Sequence, residues 1–198
     1  MTTVTVVPGM AIRRMRALVG AAGWRAEPAS PRARSASHAV SLALGRPTLF
    51  VPSAARVPRL LRLIVALHGG SPAEAPAIEL ADAAAVATGA RIAVLHVPSA
   101  SPPRDPASLP LRLEDHADQE WEEWHREFVR RFCGCSPGVV VTLHVCPGPP
   151  ELSVPAEARR VRADLIVAAR VRGRGARTLA ALADHAPCPV LMLAARPR

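Results

Sequence analysis

The sequence predicts an α/β fold, a doubly wound parallel sheet of five strands preceded by an N-terminal extension. Short runs that are apolar almost throughout recur at Leu63 to Leu67, Arg91 to Val97, Val139 to Leu143, Leu165 to Ala168 and Val190 to Leu193. Between them lie longer stretches of helical composition. Unbroken apolar runs suit strands covered on both faces, and strands alternating with helices argue for a parallel sheet wrapped on both sides by right-handed crossovers.

The 198 residues hold one domain of ordinary size with some left over, and 49% hydrophobic residues suffice for a core. No apolar run approaches the roughly 20 residues of a membrane span, so a soluble protein without a membrane partner is expected. The net charge of +9 comes wholly from arginine, since the chain contains no lysine. Arginine clusters attract phosphate and nucleic acid. Here the basic residues are scattered, aromatics are only 3%, and no reading motif appears, which argues against a nucleic-acid partner. Cys133, Cys135, Cys146 and Cys188 form no paired C-x2-C arms and nothing marks the chain as secreted, so reduced thiols of a cytoplasmic protein are expected. Arg13-Arg14 before Leu18 to Trp24 faintly resembles an export signal, but the apolar run is short and Arg25 ends it.

Residues 1–54 are read as the extension and 55–198 as the domain. Residues 1–30 match no pattern, and Glu27 to Ser37 has a linker's composition. Ser37 to Leu44 reads as a short helix, followed by Gly45-Arg46-Pro47 and a strand, Thr48 to Val51. In the domain, Leu63 to Leu67 is the first strand and His68-Gly69-Gly70 the turn after it. Ser71 then offers an N-cap, Pro72 a first helical residue and Glu74 a capping-box partner, with Gly89 as the C-terminal stop. The second strand spans Arg91 to Val97, and a proline-rich connection runs from Pro98 to Pro110. Ala117, Trp121, Trp124, Phe128 and Phe132 fall at helical spacing, an amphipathic stripe that covers a sheet face. Val139 to Leu143 makes the third strand. The helical segment from Gly148 to Arg160 contains Pro155, which requires a start near Ser153 or a bend. His96 and His144 occupy similar places in strand phrases with Cys146 nearby, which leaves a shared metal site open beside histidines that are simply hydrogen-bonded.

Ala163-Asp164-Leu165-Ile166-Val167 and Ala186-Pro187-Cys188-Pro189-Val190-Leu191 resemble the two C-terminal phrases of the universal stress protein family. The unit from Leu63 to Val97 is similar to the family's opening βαβ. Ser37 to Val51 resembles its closing phrase a second time, as if a preceding domain had left its tail. The resemblance implies an adenine nucleotide alpha hydrolase-like sheet of strand order 3-2-1-4-5. It also implies a ligand site where the loops His68 to Ser71 and Arg170 to Gly175 meet, beside the first and fourth strands. By the same resemblance, tentative nucleotide contacts are His68, Gly69, Gly70, Ser71, Val97, Arg170, Arg172, Gly173, Gly175 and Thr178.

Members that bind ATP carry G-x2-G-x9-G-S/T between the two C-terminal phrases. In this chain Ala169 and Arg172 fall at the first two glycine positions, and Ala176-Arg177 at the Gly-Ser pair, in a loop several residues too short. His68 stands where the family usually has Asp. The expected function is therefore a binding and regulatory module in stress response, not an enzyme, with a degenerate or absent ATP loop. ATP as a ligand, a protein partner, and a homodimer through the last strand are what the resemblance implies. The alternatives are a nucleotide-binding protein or hydrolase using a shifted Arg/Gly loop, and an arginine-driven nucleic-acid binder.

Overall fold

The computed structural model describes residues 3–6, 19–22, 24–28, 47–52, 55–56, 58, 60–68, 74–97, 127, 134–146, 148–170 and 176–194. Its strands are β1 (Thr3–Val6), β2 (Arg25–Pro28), β3 (Thr48–Phe50), β4 (Leu63–His68), β5 (Arg91–His96), β6 (Val141–Val145), β7 (Leu165–Arg170) and β8 (Val190–Ala194). Its helices are α1 (Ala75–Thr88), α2 (Pro150–Arg160) and α3 (Ala176–His185). One sheet contains all eight strands in the order β2-β1-β3-β8-β7-β4-β5-β6.

Within that sheet β6-β5-β4-β7-β8 reproduces the expected order 3-2-1-4-5, with every neighbouring pair parallel. The extension adds three strands to the five. β1 pairs parallel with both β2 and β3, and β3 runs antiparallel to β8 with Leu49 opposite Leu191. From Val190 to Met192 β8 is thus bonded on both sides, and β3 occupies the edge through which the expected twofold contact of a homodimer would run.

Residues one apart along each strand feed two cores. Ile64, Ile92, Val94, Leu165, Val167 and Leu191 face α1, while Val65, Ala93, Leu95, Ile166, Val190 and Met192 face α2 and α3. This double burial is the physical cause of the unbroken apolar runs. The extension enters both cores, Leu49 and Trp24 on one side and Phe50 on the other.

α1 starts at Ala75 with Glu74 in the N-cap place, making no side-chain cap bond, and Pro76 in its first turn. Ser71 and Pro72, the expected cap and first helical residue, lie outside the described residues. Proline is well placed at 76 because first-turn N–H groups have no helical acceptor. Gly89 ends the helix as expected, at φ 70°, donating its N–H to Ala85 O. α2 runs through Pro155 and begins at Pro150, earlier than a start at Ser153. It closes on Arg162 at φ 55°, with Arg162 N–H bonded to Arg159 O and Ala163 N–H to Ala158 O. That pair of bonds is a Schellman closure with arginine where glycine is usual. β6 lies two residues later than the apolar run suggested: Val140 is 55% exposed and precedes it. The helix expected at 37–44 lies outside the described residues, and of the 117–132 stripe only Glu127 is described, as helical.

Candidate functional site

β4 and β7 are parallel neighbours, Leu67 opposite Ala168, and they end side by side at His68 and Arg170. The chain leaves β4 for α1 on one face and leaves β7 for α3 on the other. Connections that diverge to opposite faces open a crevice at the strand ends, where ligands of such sheets bind. His68 is also in register with His96 at the end of β5.

Among the tentative contacts, His68 and Arg170 close their strands at this crevice. Thr178 occupies the first turn of α3 and is 7% exposed. Val97 follows β5 and is buried in the apolar cluster shared with α2 and α3. Gly69, Gly70, Ser71, Arg172, Gly173 and Gly175 lie outside the described residues. β7 is described to Arg170 and α3 from Ala176, and residues 171–175 between them lie outside the described residues.

The opposite end of the sheet is fixed by Asp164. Its Oδ2 accepts the N–H groups of Arg62 at 2.9 Å and Leu63 at 3.2 Å, and its Oδ1 accepts Arg56 Nη2 at 2.9 Å. The Asp164 N–H returns a bond to Leu63 O, and Arg56 N–H bonds Pro187 O. These contacts join the starts of β4 and β7 to the residues before β8. Cys188 lies in the core beside them, and burial pushes its thiol up to about 12, as suits a packing residue and not a nucleophile.

A second polar cluster was not apparent from the sequence. His144 on β6 places Nδ1 2.7 Å from Glu157 Oε1 on α2, and Thr142 Oγ1 lies 3.2 Å from His144 Nε2. Arg160 clasps the same carboxylate, with Nε 2.6 Å from Oε2 and Nη2 on Oε1. The Arg160 bond, opposed by burial and helped by His144, holds the Glu157 carboxyl below the usual carboxylate range. Burial and the Glu157 charge push the nearby Cys146 thiol up against the opposing pull of Arg160. Thr142 and His144 are two apart on one strand, but Glu157 reaches them only through the fold, so no linear motif announces the group. Among the described residues no set of three His, Cys, Asp or Glu side chains is placed to hold a metal.

The sheet, with connections that diverge to opposite faces after the first and fourth domain strands, defines the class, a doubly wound α/β protein. The model of the universal stress protein family matches residues 61–194, and the chain belongs to that family. A search among curated proteins finds no match to the sequence. Among solved structures, a functionally unknown protein from Pseudomonas aeruginosa PAO1 is similar with TM-score 0.60 and 16% identity, covering 98% of this chain and 93% of that one. A universal stress protein from Archaeoglobus fulgidus DSM 4304 is similar with TM-score 0.56 and 16% identity, covering 93% of this chain and 75% of that one. At such identities the likeness is one of fold, and it extends over the N-terminal strands. Among the described residues no helix is long and apolar enough to cross a membrane.

Proposed function

We propose that this chain is a cytoplasmic regulatory module of the stress response that acts by binding and not by turnover, with a degenerate nucleotide loop. The observation that carries this reading is the short connection of residues 171–175 between β7 and α3. The family's phosphate loop needs nine residues between its second glycine and its Gly-Ser/Thr pair, and this connection is too short to supply them. Arg170, Arg172 and Arg174 offer charge where glycine amides are missing. Charge alone supplies less than a cradle of backbone amides preorganised at a helix N-terminus.

Calorimetry with magnesium ATP tests the reading. The expected affinity is weaker than micromolar on an order-of-magnitude scale, and tight, stoichiometric binding overturns it. In that event Arg172→Ala and Gly70→Val each weaken binding if the shifted loop holds the phosphates, the second by blocking close backbone approach. Labelled duplex DNA titrated across a salt series separates a nucleic-acid binder, because nonspecific affinity collapses with salt.

We further infer that residues 1–54 are the remnant of a preceding domain of the same family. The antiparallel pairing of β3 with β8 supports this, since the last strands of two such domains meet in that sense. The three mutually parallel strands of the extension support it as well.

A further inference from the structure

β6 is the last strand of the sheet, and Thr142, His144 and Cys146 are alternate residues along it and just past its end. α2 packs over that face and brings Glu157 and Arg160 to it. The 2.7 Å contact between His144 Nδ1 and Glu157 Oε1 sets the tautomer. Nδ1 carries the proton and donates to an ionised carboxylate, which leaves the Nε2 lone pair facing the Thr142 hydroxyl.

Arg160 Nη2 stands 3.3 Å from Nδ1, where two donors face each other, so its bond is to Glu157. The clasp holds the carboxylate in one orientation. Hydroxyl, imidazole and carboxylate thus stand in the order that a general base requires. The alternative acceptor for the hydroxyl, Ile92 O, is farther away at 3.5 Å. Thr142 is exposed to solvent, while the nearby Cys146 thiol is kept protonated by its surroundings and is a poor competitor.

We propose that Thr142 is an acylation site for small activated acyl donors such as aryl esters, with His144 as general base and Glu157 as the positioning residue. Thr142 Oγ1 bonds to the acyl carbon while its proton passes to His144 Nε2. The ester C–O bond then breaks, and the departing phenoxide takes the proton from Nε2. General-base help contributes about 10² to 10⁴-fold. That is enough for one acylation by an activated ester and too little for turnover of an unactivated one.

The full chain is incubated with p-nitrophenyl acetate across a pH series, and the product is read by intact mass and peptide mapping. One acetyl group on Thr142 is expected, at a rate that rises with pH to a plateau. Thr142→Ser keeps the label, and Thr142→Val removes it with an unchanged circular dichroism spectrum. His144→Gln slows labelling of Thr142 by about 10²-fold or more and removes the pH step. Glu157→Gln displaces the midpoint of the pH profile, which loss of packing alone does not do. Labelling confined to other residues, or Thr142 labelled at the same rate and with the same pH profile in His144→Gln, overturns the proposal. Should His144→Gln fail to fold, a wild-type rate without a pH step overturns it equally.

Discussion

Replacing Asp164 by alanine removes the acceptor that joins β4 to β7 at their starts. Asp164 is 6% exposed and takes two backbone N–H groups, Arg62 at 2.9 Å and Leu63 at 3.2 Å, besides the Arg56 guanidinium. A buried donor left without its partner costs about 1–3 kcal/mol, and these two part-buried donors stand at the lower end. The Arg56 side chain is 66% exposed, and such a pair contributes about 0–1 kcal/mol. Together these give roughly 3 kcal/mol for Asp164→Ala. With a urea m-value of about 2 kcal/mol/M, the unfolding midpoint falls by roughly 1.5 M. Asp164→Asn keeps one acceptor oxygen and should lose about half as much, and Arg56→Ala less than about 1 kcal/mol. The reasoning is refuted if Asp164→Ala stays within about 0.5 kcal/mol of wild type, the range of an ordinary surface substitution. It is also refuted if Arg56→Ala costs as much as Asp164→Ala, since the backbone donors would then contribute nothing.

Arg162 holds φ 55° at the close of α2, and Arg162→Gly should stabilise the chain by about 0.5–1 kcal/mol, the relief of left-handed strain less the greater freedom of unfolded glycine; a lower melting temperature would contradict this. Glu157 has a folded-state pKa below its ordinary 4.5, so its contribution to stability is complete above that pH and is lost as the pH falls through the lower folded value. The gap in unfolding free energy between wild type and Glu157→Gln should therefore shrink as the pH falls below about 4.5, as acid titration of urea midpoints will show. Deleting residues 1–54 strips β3 from β8 and uncovers an apolar edge. Light scattering should then find dimers or larger species, and a monomer with unchanged melting would show that β3 does not protect that edge. Under native conditions Cys188 should resist alkylation and become reactive only in denaturant, because burial pushes its thiol up to about 12.

The five domain strands were legible because each is buried on two faces and so consists of apolar residues in succession. Gly89 was legible as a helix stop because only a left-handed residue fits there. β1 carries a signal that passed unread, the β-branched run Thr3-Val4-Thr5-Val6. β2, with the residues Arg25-Ala26-Glu27-Pro28, carries no apolar run at all and is a strand through its pairing with β1. In β6 the run Val139-Val140-Val141 drew the expected strand two residues early, since hydrophobicity does not tell the exposed Val140 from the residues that enter the ladder. The crevice beside β4 and β7 followed from strand order, which the family resemblance supplied and periodicity did not. The Thr142, His144 and Glu157 group had no such guide, because its geometry depends on how α2 lies over the sheet edge.

The two C-terminal phrases that carry the resemblance and the candidate ligand loops sit at opposite ends of the strands. Asp164 and Pro187, from the two C-terminal phrases that carry the resemblance, meet Arg56, Arg62 and Leu63 at the strand starts. The loops after β4 and β7 lie at the strand ends, beyond His68 and Arg170. A substitution at Asp164 unpairs two part-buried backbone donors and is opposed by folding itself, whatever the protein binds. Family membership therefore follows from the residues that secure the sheet, while nucleotide binding does not.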